Sequence, residues 1–182
     1  QFGFREIRVE GGKLLLNGEP LYLVGFGKHE DLPMTGRSRH HAAYIRDMEL
    51  LRWVGANSFR TSHYPYDEDL LRLADRLGFL VIDEVPAVSL GFLSDRFEDL
   101  RPLLDTHRRT VEALIERDRN HPSVILWSVA NEPNLWNEPH YQNDASQRYF
   151  TELYSHTRAL DATRPVITIT VPAFGADDVA LS

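Results

Sequence analysis

"VILWSVANEPN", Val124 to Asn134, opens as an uncharged, largely apolar run and stops abruptly on Asn131, Glu132 and Pro133. It reads as a buried strand that delivers polar chemistry at its end. Other runs repeat the theme: "LYLVGF" (Leu21 to Phe26), "ANSFRT" (Ala56 to Thr61), "FLVID" (Phe79 to Asp83) and "VITITV" (Val166 to Val171). Between them lie helical periods. One spans about His41 to Trp53, with Ile45, Met48 and Leu51 on one side. A second starts at the capping residue Asp67, carries Leu70, Ala74 and Leu77 at i, i+4 and i+7, and closes on Gly78. A third, after a loop rich in Gly, Ser and Pro, covers about Thr106 to Arg117 with Val111, Leu114 and Ile115 on a shared face. The last covers about Ala145 to Leu160 and holds Phe150, Leu153, Tyr154 and Thr157.

Strand and helix in regular alternation imply parallel strands joined by crossover helices, hence an α/β fold. Two architectures fit, an open doubly wound sheet and a (β/α)8 barrel. The glycine-rich phosphate loop of a nucleotide-binding sheet is missing, because "GFGKHED" does not match GxGxxG. The strands instead share polar residues just past their C-terminal ends: "GKHED", "SHYP", "DE" and "NEP". Converging carboxylates and histidines at that end are the mark of a barrel active site. A full barrel needs about 250 residues and eight strands, whereas only five strands are read here, so the expected fold is a partial TIM barrel. "FREIRVE" and "KLLLN" flank Gly11-Gly12, and Asn17-Gly18 adds a second turn, so residues 1–20 form a β-hairpin leading into barrel residues 21–182.

At 182 residues the chain suits one domain, and 42% hydrophobic with 26% charged residues is globular composition. A net charge of −7 argues against a nucleic-acid backbone or an anionic membrane surface as partner. With no cysteine there is no disulfide, thiolate metal site or Cys nucleophile. The sequence shows neither a membrane span nor a signal peptide. "QFGFREI" lacks an initiator Met and is read as internal to a longer protein, so the compartment stays open, cytoplasmic for a bacterial source.

Several residues could carry chemistry. A carboxyl such as Glu132, backed by an apolar strand and by Trp127 at a barrel mouth, suits a general acid, because partial desolvation favours the protonated form. Pro133 would hold it to extended backbone angles, and Asn131 offers an amide to a hydroxyl. The plainer reading of "NEP" is a polar turn. His29, Glu30 and Asp31 suit a polar rim for a hydroxyl-rich ligand, a metal site or a solvated loop. Arg60 and His63 could orient a carboxylate or hydroxyl, or only tie the barrel mouth together. Asp83 and Glu84 are either ligands or partners of a neighbouring Arg. Trp53 is assigned to the core, and Trp136 to stacking on a sugar ring or covering the rim.

Taken together, "GFGKHED" (Gly25 to Asp31), "GANSFRTSHYP" (Gly55 to Pro65) and "RDRNHPSVILWSVANEP" (Arg117 to Pro133) resemble the barrel domain of glycoside hydrolase family 2, most closely its β-glucuronidase branch. The likeness runs from "FGFREI" through "LDATRPV". It implies a retaining hydrolase of β-glucuronides in which Glu132 is the acid/base and Asn131 holds the sugar 2-hydroxyl. Asp31 and His63 would bind the sugar, with His29 on the same rim. The family's nucleophile lies in a Glu-Tyr-Gly-like segment on the seventh strand, which nothing after Val171 supplies; the acids there are Asp177 and Asp178. "DEVPAVSLGF" lacks the Glu-x-His pair that helps bind magnesium in the β-galactosidase branch, so neither a metal nor another cofactor is expected, and a galactosidase-like activity is the weaker alternative. A catalytically incomplete fragment with a folding or assembly role is the reading from another class. An open barrel portion is expected to self-associate or to require the remainder of the barrel.

Overall fold

Positive φ at Gly11, Gly12, Asn17 and Gly18 turns the chain back on itself twice, the geometry tight hairpins require. Strands β1 (Ile7–Glu10), β2 (Lys13–Leu16) and β3 (Glu19–Pro20) form a small antiparallel sheet, so the expected hairpin gains a third, short strand. The computed structural model describes residues 3–33, 35–90, 94–133 and 144–169.

Five strands alternate with helices after this sheet: β4 (Gly25–Lys28), α1 (His41–Trp53), β5 (Ser58–Thr61), α2 (Glu68–Leu77), β6 (Leu80–Glu84), α3 (Phe97–Asp118), β7 (Val124–Asn131), α4 (Asp144–Leu160) and β8 (Val166–Ile169). All four pairings are parallel, and the spatial order β4-β5-β6-β7-β8 is the chain order. A doubly wound sheet reverses direction at a switch point; this one winds one way only, which is a barrel's path. The partial barrel expected from the sequence is the architecture observed.

Alternation along the strands separates two faces. Phe59, Val81, Val124 and Trp127 face the helices, in a core with Tyr44, Met48, Leu70 and Leu104. On the inner face, Leu80, Ile82, Leu126 and Ile167 meet Ile7, Leu14 and Leu16 of the small sheet. Those contacts sit near the starts of β6 and β7, so the small sheet closes the N-terminal end of the inner face. Arg5 strengthens this closure by donating to the carbonyls of Pro122 and Val124 at 3.2 and 2.6 Å.

α2 matches its expected span, with Asp67 Oδ1 accepting from Asp69 N at 2.8 Å and Gly78 in the left-handed region at its end. Four expectations need correction. The first strand runs Gly25–Lys28, later than the apolar run Leu21 to Phe26, because Gly25 is where β4 meets β5 closely enough that a Cβ would lie 2.1 Å from the Ser58 carbonyl oxygen. As an edge strand among the described residues it leaves Phe26 56% exposed rather than buried. Helix α3 starts at Phe97, well before Thr106, and carries Pro102 within it; Phe97, Leu100 and Leu104 bury its early face. Trp53 is 82% exposed, because the buried stripe of α1 runs through Tyr44 and Met48 and not through Ile45.

His107 braces the outer layer. Its Nε2–H donates to the Val129 carbonyl at 2.7 Å, while its Nδ1 accepts from the Tyr149 hydroxyl at 2.9 Å, joining α3, β7 and α4. Burial pushes the imidazole pKa down to about 4, so it stays neutral in this role.

Asp83 also faces the helices, where it is fully buried beside Asp118 and accepts from Thr61 Oγ1 at 3.0 Å. Burial first, and then the neighbouring Asp118, push its carboxyl well above the ordinary 3.8. Asp118 is itself held by Arg117 through two short contacts at 2.8 and 2.5 Å. The folded state therefore binds the Asp83 proton more tightly than the unfolded chain does. That contribution is fully present below the ordinary carboxylate value and is lost as pH rises toward the raised one. Asp83→Asn, which mimics the protonated acid, should flatten the decline in stability between mildly acid and neutral pH; urea unfolding across that range reads it, and an unchanged slope would contradict a protonated Asp83.

Candidate active site

The period of two that sends Asp83 outward sends its neighbour Glu84 inward, at the C-terminal end of β6. Glu84 is 0% exposed, and its carboxylate collects donors from two other strand ends. Oε2 accepts from Arg60 Nη1 and from Ser128 Oγ, each at 2.7 Å. Oε1 lies 2.7 Å from His63 Nδ1. Its backbone N–H donates to Thr61 Oγ1 at 2.8 Å. A buried carboxylate is tolerated only when its lone pairs are met in this way. Arg60 also donates from the same Nη1 to Asn131 Oδ1 at 2.9 Å, carrying the network to the end of β7.

Asn131 is buried and Glu132 half-buried. The backbone here is pinned from both sides. Asn131 N–H donates to Ala87 O and its carbonyl accepts from Ser89 N–H, both at 2.9 Å, while Glu132 N–H donates to Ile169 O at 2.7 Å. Glu132 adopts φ +48°, so the extended conformation expected from Pro133 is not what the structure shows. A left-handed non-glycine residue costs on the order of 1 kcal/mol and persists where surrounding contacts dictate it; here the pairing of β7 with β8 and with residues 87–89 does so. Trp127 does not back Glu132 either. It faces the helix layer, donating from Nε1 to Asp161 Oδ2 at 3.0 Å beneath the Arg164 guanidinium. Burial would raise the Asp161 carboxyl, but hydrogen bonds from Thr163, Arg164 and Trp127 hold it down at about 2.

Loops after β4 and β5 bring the remaining candidates to the same end. His29 stands edge-on to His63 with ring centroids 5.3 Å apart, and 6.3 Å from Tyr64. Glu30 is structural, since its Oε1 accepts from Asp67 N–H at 2.9 Å and its own N–H donates to Tyr64 Oη at 3.0 Å. The Tyr66 hydroxyl donates to the carbonyl of Lys28 and, at 3.1 Å, to that of Ser62, which ties the end of β4 to the loop after β5. Asp31 sits further out on the exposed loop, 3.7 Å from Arg37, whose guanidinium stacks on Tyr64 at 3.4 Å. The structure thus assembles Asn131, Glu132, His63 and His29 around Glu84 and Arg60, and leaves Asp31 on the rim. Asp83 and Glu84 part company, and only Glu84 makes the salt bridge to an Arg. Trp136, Asp177 and Asp178 lie outside the described residues. Along the inner face below this end runs an open cleft of about 230 Å³, lined by Phe26, Arg60, Ile82 and Ile169 among others.

A one-way wound parallel sheet with an acid, an amide and paired histidines at its C-terminal end has the layout of part of a TIM barrel. The chain belongs to the glycosyl hydrolases family 2, whose TIM barrel domain matches residues 7–180. Among curated proteins it is 45% identical over 177 residues to a β-glucuronidase of Mus musculus, covering 96% of this chain and 26% of that protein. It is 46% identical over 178 residues to a β-glucuronidase of Streptococcus agalactiae, covering 92% of this chain and 29% of that one. Among solved structures, a Ruminococcus gnavus β-glucuronidase shares 47% identity with a TM-score of 0.82, over 91% of this chain and 27% of that one. A Bifidobacterium dentium β-glucuronidase shares 40% identity with a TM-score of 0.86, over 94% of this chain and 27% of that one. The chain therefore spans under a third of the length of these relatives.

Removing Arg60 would strip the Glu84 carboxylate of its charged partner while leaving it buried. Arg60→Ala is expected to cost about 3 kcal/mol of unfolding free energy, the order measured when one member of a buried pair is deleted. Urea denaturation checks this, and a midpoint indistinguishable from the parent would show that the pair is not what holds these strand ends together.

Proposed function

We propose that this segment is the proton-donating part of a retaining β-glucuronidase site. The observation that carries the reading is the Asn131–Glu132 pair at the end of β7, fixed by backbone bonds on both sides and tied to Glu84 through Arg60. Support for a uronic sugar comes from the relatives: they are named β-glucuronidases, and the Ruminococcus gnavus enzyme has been solved with a C6-substituted uronic isofagomine.

In this reading the Glu132 carboxyl protonates the glycosidic oxygen as the bond to the aglycone breaks. A second carboxylate attacks the anomeric carbon from the opposite face, giving a glycosyl-enzyme ester, and the two carboxyl groups stand about 5 Å apart in such sites. Glu132, now a carboxylate, then takes a proton from the water that cleaves the ester. Asn131 donates its amide N–H to the 2-hydroxyl, a contact that strengthens as the ring flattens toward the oxocarbenium ion. His63 and His29 line the same subsite, and Asp31 meets a sugar hydroxyl from the rim loop. The attacking carboxylate would come from the remainder of a complete barrel. The bare inner cleft and exposed Phe26 would be covered by that remainder, or by a second copy of the chain when it is alone.

The isolated chain should show no measurable turnover of 4-nitrophenyl β-glucuronide, since losing a nucleophile costs several orders of magnitude in rate. Hydrolysis at the rate of a complete enzyme by a purified 20.9 kDa species would sink the proposal. Light scattering is expected to give a mass above that of one chain. A chimera with this segment in place of the matching one of the Ruminococcus gnavus enzyme should hydrolyse aryl β-glucuronides. In it, Glu132→Gln should lower kcat about 100-fold or more for a poor phenol leaving group, and far less for an activated one. An equal loss for both leaving groups would rule out Glu132 as the acid.

A further inference from the structure

The polar network at the strand ends contains one group that does not reach the substrate face. Glu84 is fully enclosed, yet it contacts the residues beside that face on both sides: Arg60 and Ser128 through Oε2, His63 through Oε1. We propose that Glu84 is a positioning residue that sets the hydrogen-bonding polarity of the sugar subsite, fixing the Asn131 amide through Arg60 and the His63 tautomer directly. The proposal rests on the reading of Asn131 and His63 as sugar-binding residues.

The chain of constraint starts at the carboxylate, which only accepts. A guanidinium only donates, so the Asn131 atom 2.9 Å from Arg60 Nη1 has to be the carbonyl oxygen. The amide N–H2 is then the edge left for a ligand, and Asn131 becomes a donor toward the sugar. At His63 the same logic places a proton on Nδ1, which must donate to Glu84 Oε1. In the neutral ring Nε2 is then an acceptor. One buried carboxylate thus presents a donor on one side of the subsite and an acceptor on the other, a pair suited to neighbouring sugar hydroxyls. Ser128 fills the remaining demand on Oε2, so the lone pairs of Glu84 are met without solvent contact.

Glu84→Gln separates this role from simple support, because it keeps the shape and changes the polarity. Arg60 and Ser128 still donate, so the glutamine oxygen stays with them and its N–H2 turns to His63. Nδ1 must then accept, and the proton moves to Nε2. In the 182-residue chain with 15N-labelled histidine, imidazole nitrogen shifts should report the Nδ1–H form of His63 in the parent and the Nε2–H form in Glu84→Gln. Retention of Nδ1–H in the variant would overturn the tautomer assignment. In the chimera, Glu84→Gln should lower kcat/KM about 100-fold, the scale of one polar contact misdirected at the transition state, because His63 Nε2 then meets the sugar as a donor in place of an acceptor, with the loss mainly in kcat. The same substitution in a His63→Ala background should cost at least tenfold less, since the contact whose polarity it reverses is already gone. Equal losses in both backgrounds, or no loss in either, would overturn the proposal. An inactive parent chimera with the expected His63 tautomers would instead count against the glucuronidase reading and leave the positioning geometry standing.

Discussion

The buried carboxylate of Glu84 is the constraint around which the C-terminal end of this sheet is arranged. A carboxylate with no solvent contact needs donors on every side, and it draws them from β5, from the loop after β5, and from β7. Meeting that demand fixes the relative heights of three strand ends. Arg60 extends the effect, because a side chain committed to Glu84 at 2.7 Å can also hold Asn131 at 2.9 Å only if β7 ends where it does. The register shift between β6 and β7 is part of the same solution: Val81 pairs with Val124 but Ile82 pairs with Leu126, which brings Ser128 opposite Glu84.

The two ends of the inner face do different work. Near the strand starts it is apolar and closed by Ile7, Leu14 and Leu16 of the small sheet. At the strand ends it is polar and laced by loops, with Tyr66 binding the end of β4 to the loop after β5. The outer face supplies rigidity through the neutral His107, the Trp127–Asp161–Arg164 cluster and the buried Asp83 beside Asp118. Asp83 and Glu84 are adjacent in sequence and opposite in surroundings: Asp83 packs in the helix layer beside Asp118, and Glu84 faces the network of the strand ends.

What the sequence disclosed follows from which forces are local. Asp67 and Gly78 announce α2 because capping depends on a few neighbouring residues, and the turns at Gly11-Gly12 and Asn17-Gly18 do so for the same reason. The run Val124 to Val129 reads as a strand from its unbroken apolar character, and β7 carries that strand on to Asn131. Features set by distant residues are not legible in this way. Glu84 could be paired with an Arg in principle, but its partners Arg60, His63 and Ser128 come from different strands and meet only through register. Trp127 is buried against the helix layer and not beside Glu132, because a bulky ring signals burial without signalling which face, whereas Trp53 is not buried at all. Pro102 obscured the first turns of α3, since a proline more often ends a helix than sits inside one.

The most direct test concerns the chemical identity of Glu132. In the completed barrel, replacing the acid/base by Gly removes the general base for the second step, and azide can then take the place of water without needing deprotonation. With Glu132→Gly and an activated aryl β-glucuronide, added azide should restore turnover and yield the β-configured glucuronosyl azide, identified by proton NMR. An α-configured azide would mean that Glu132 is the nucleophile, and no rescue at all would contradict its assignment as the acid/base.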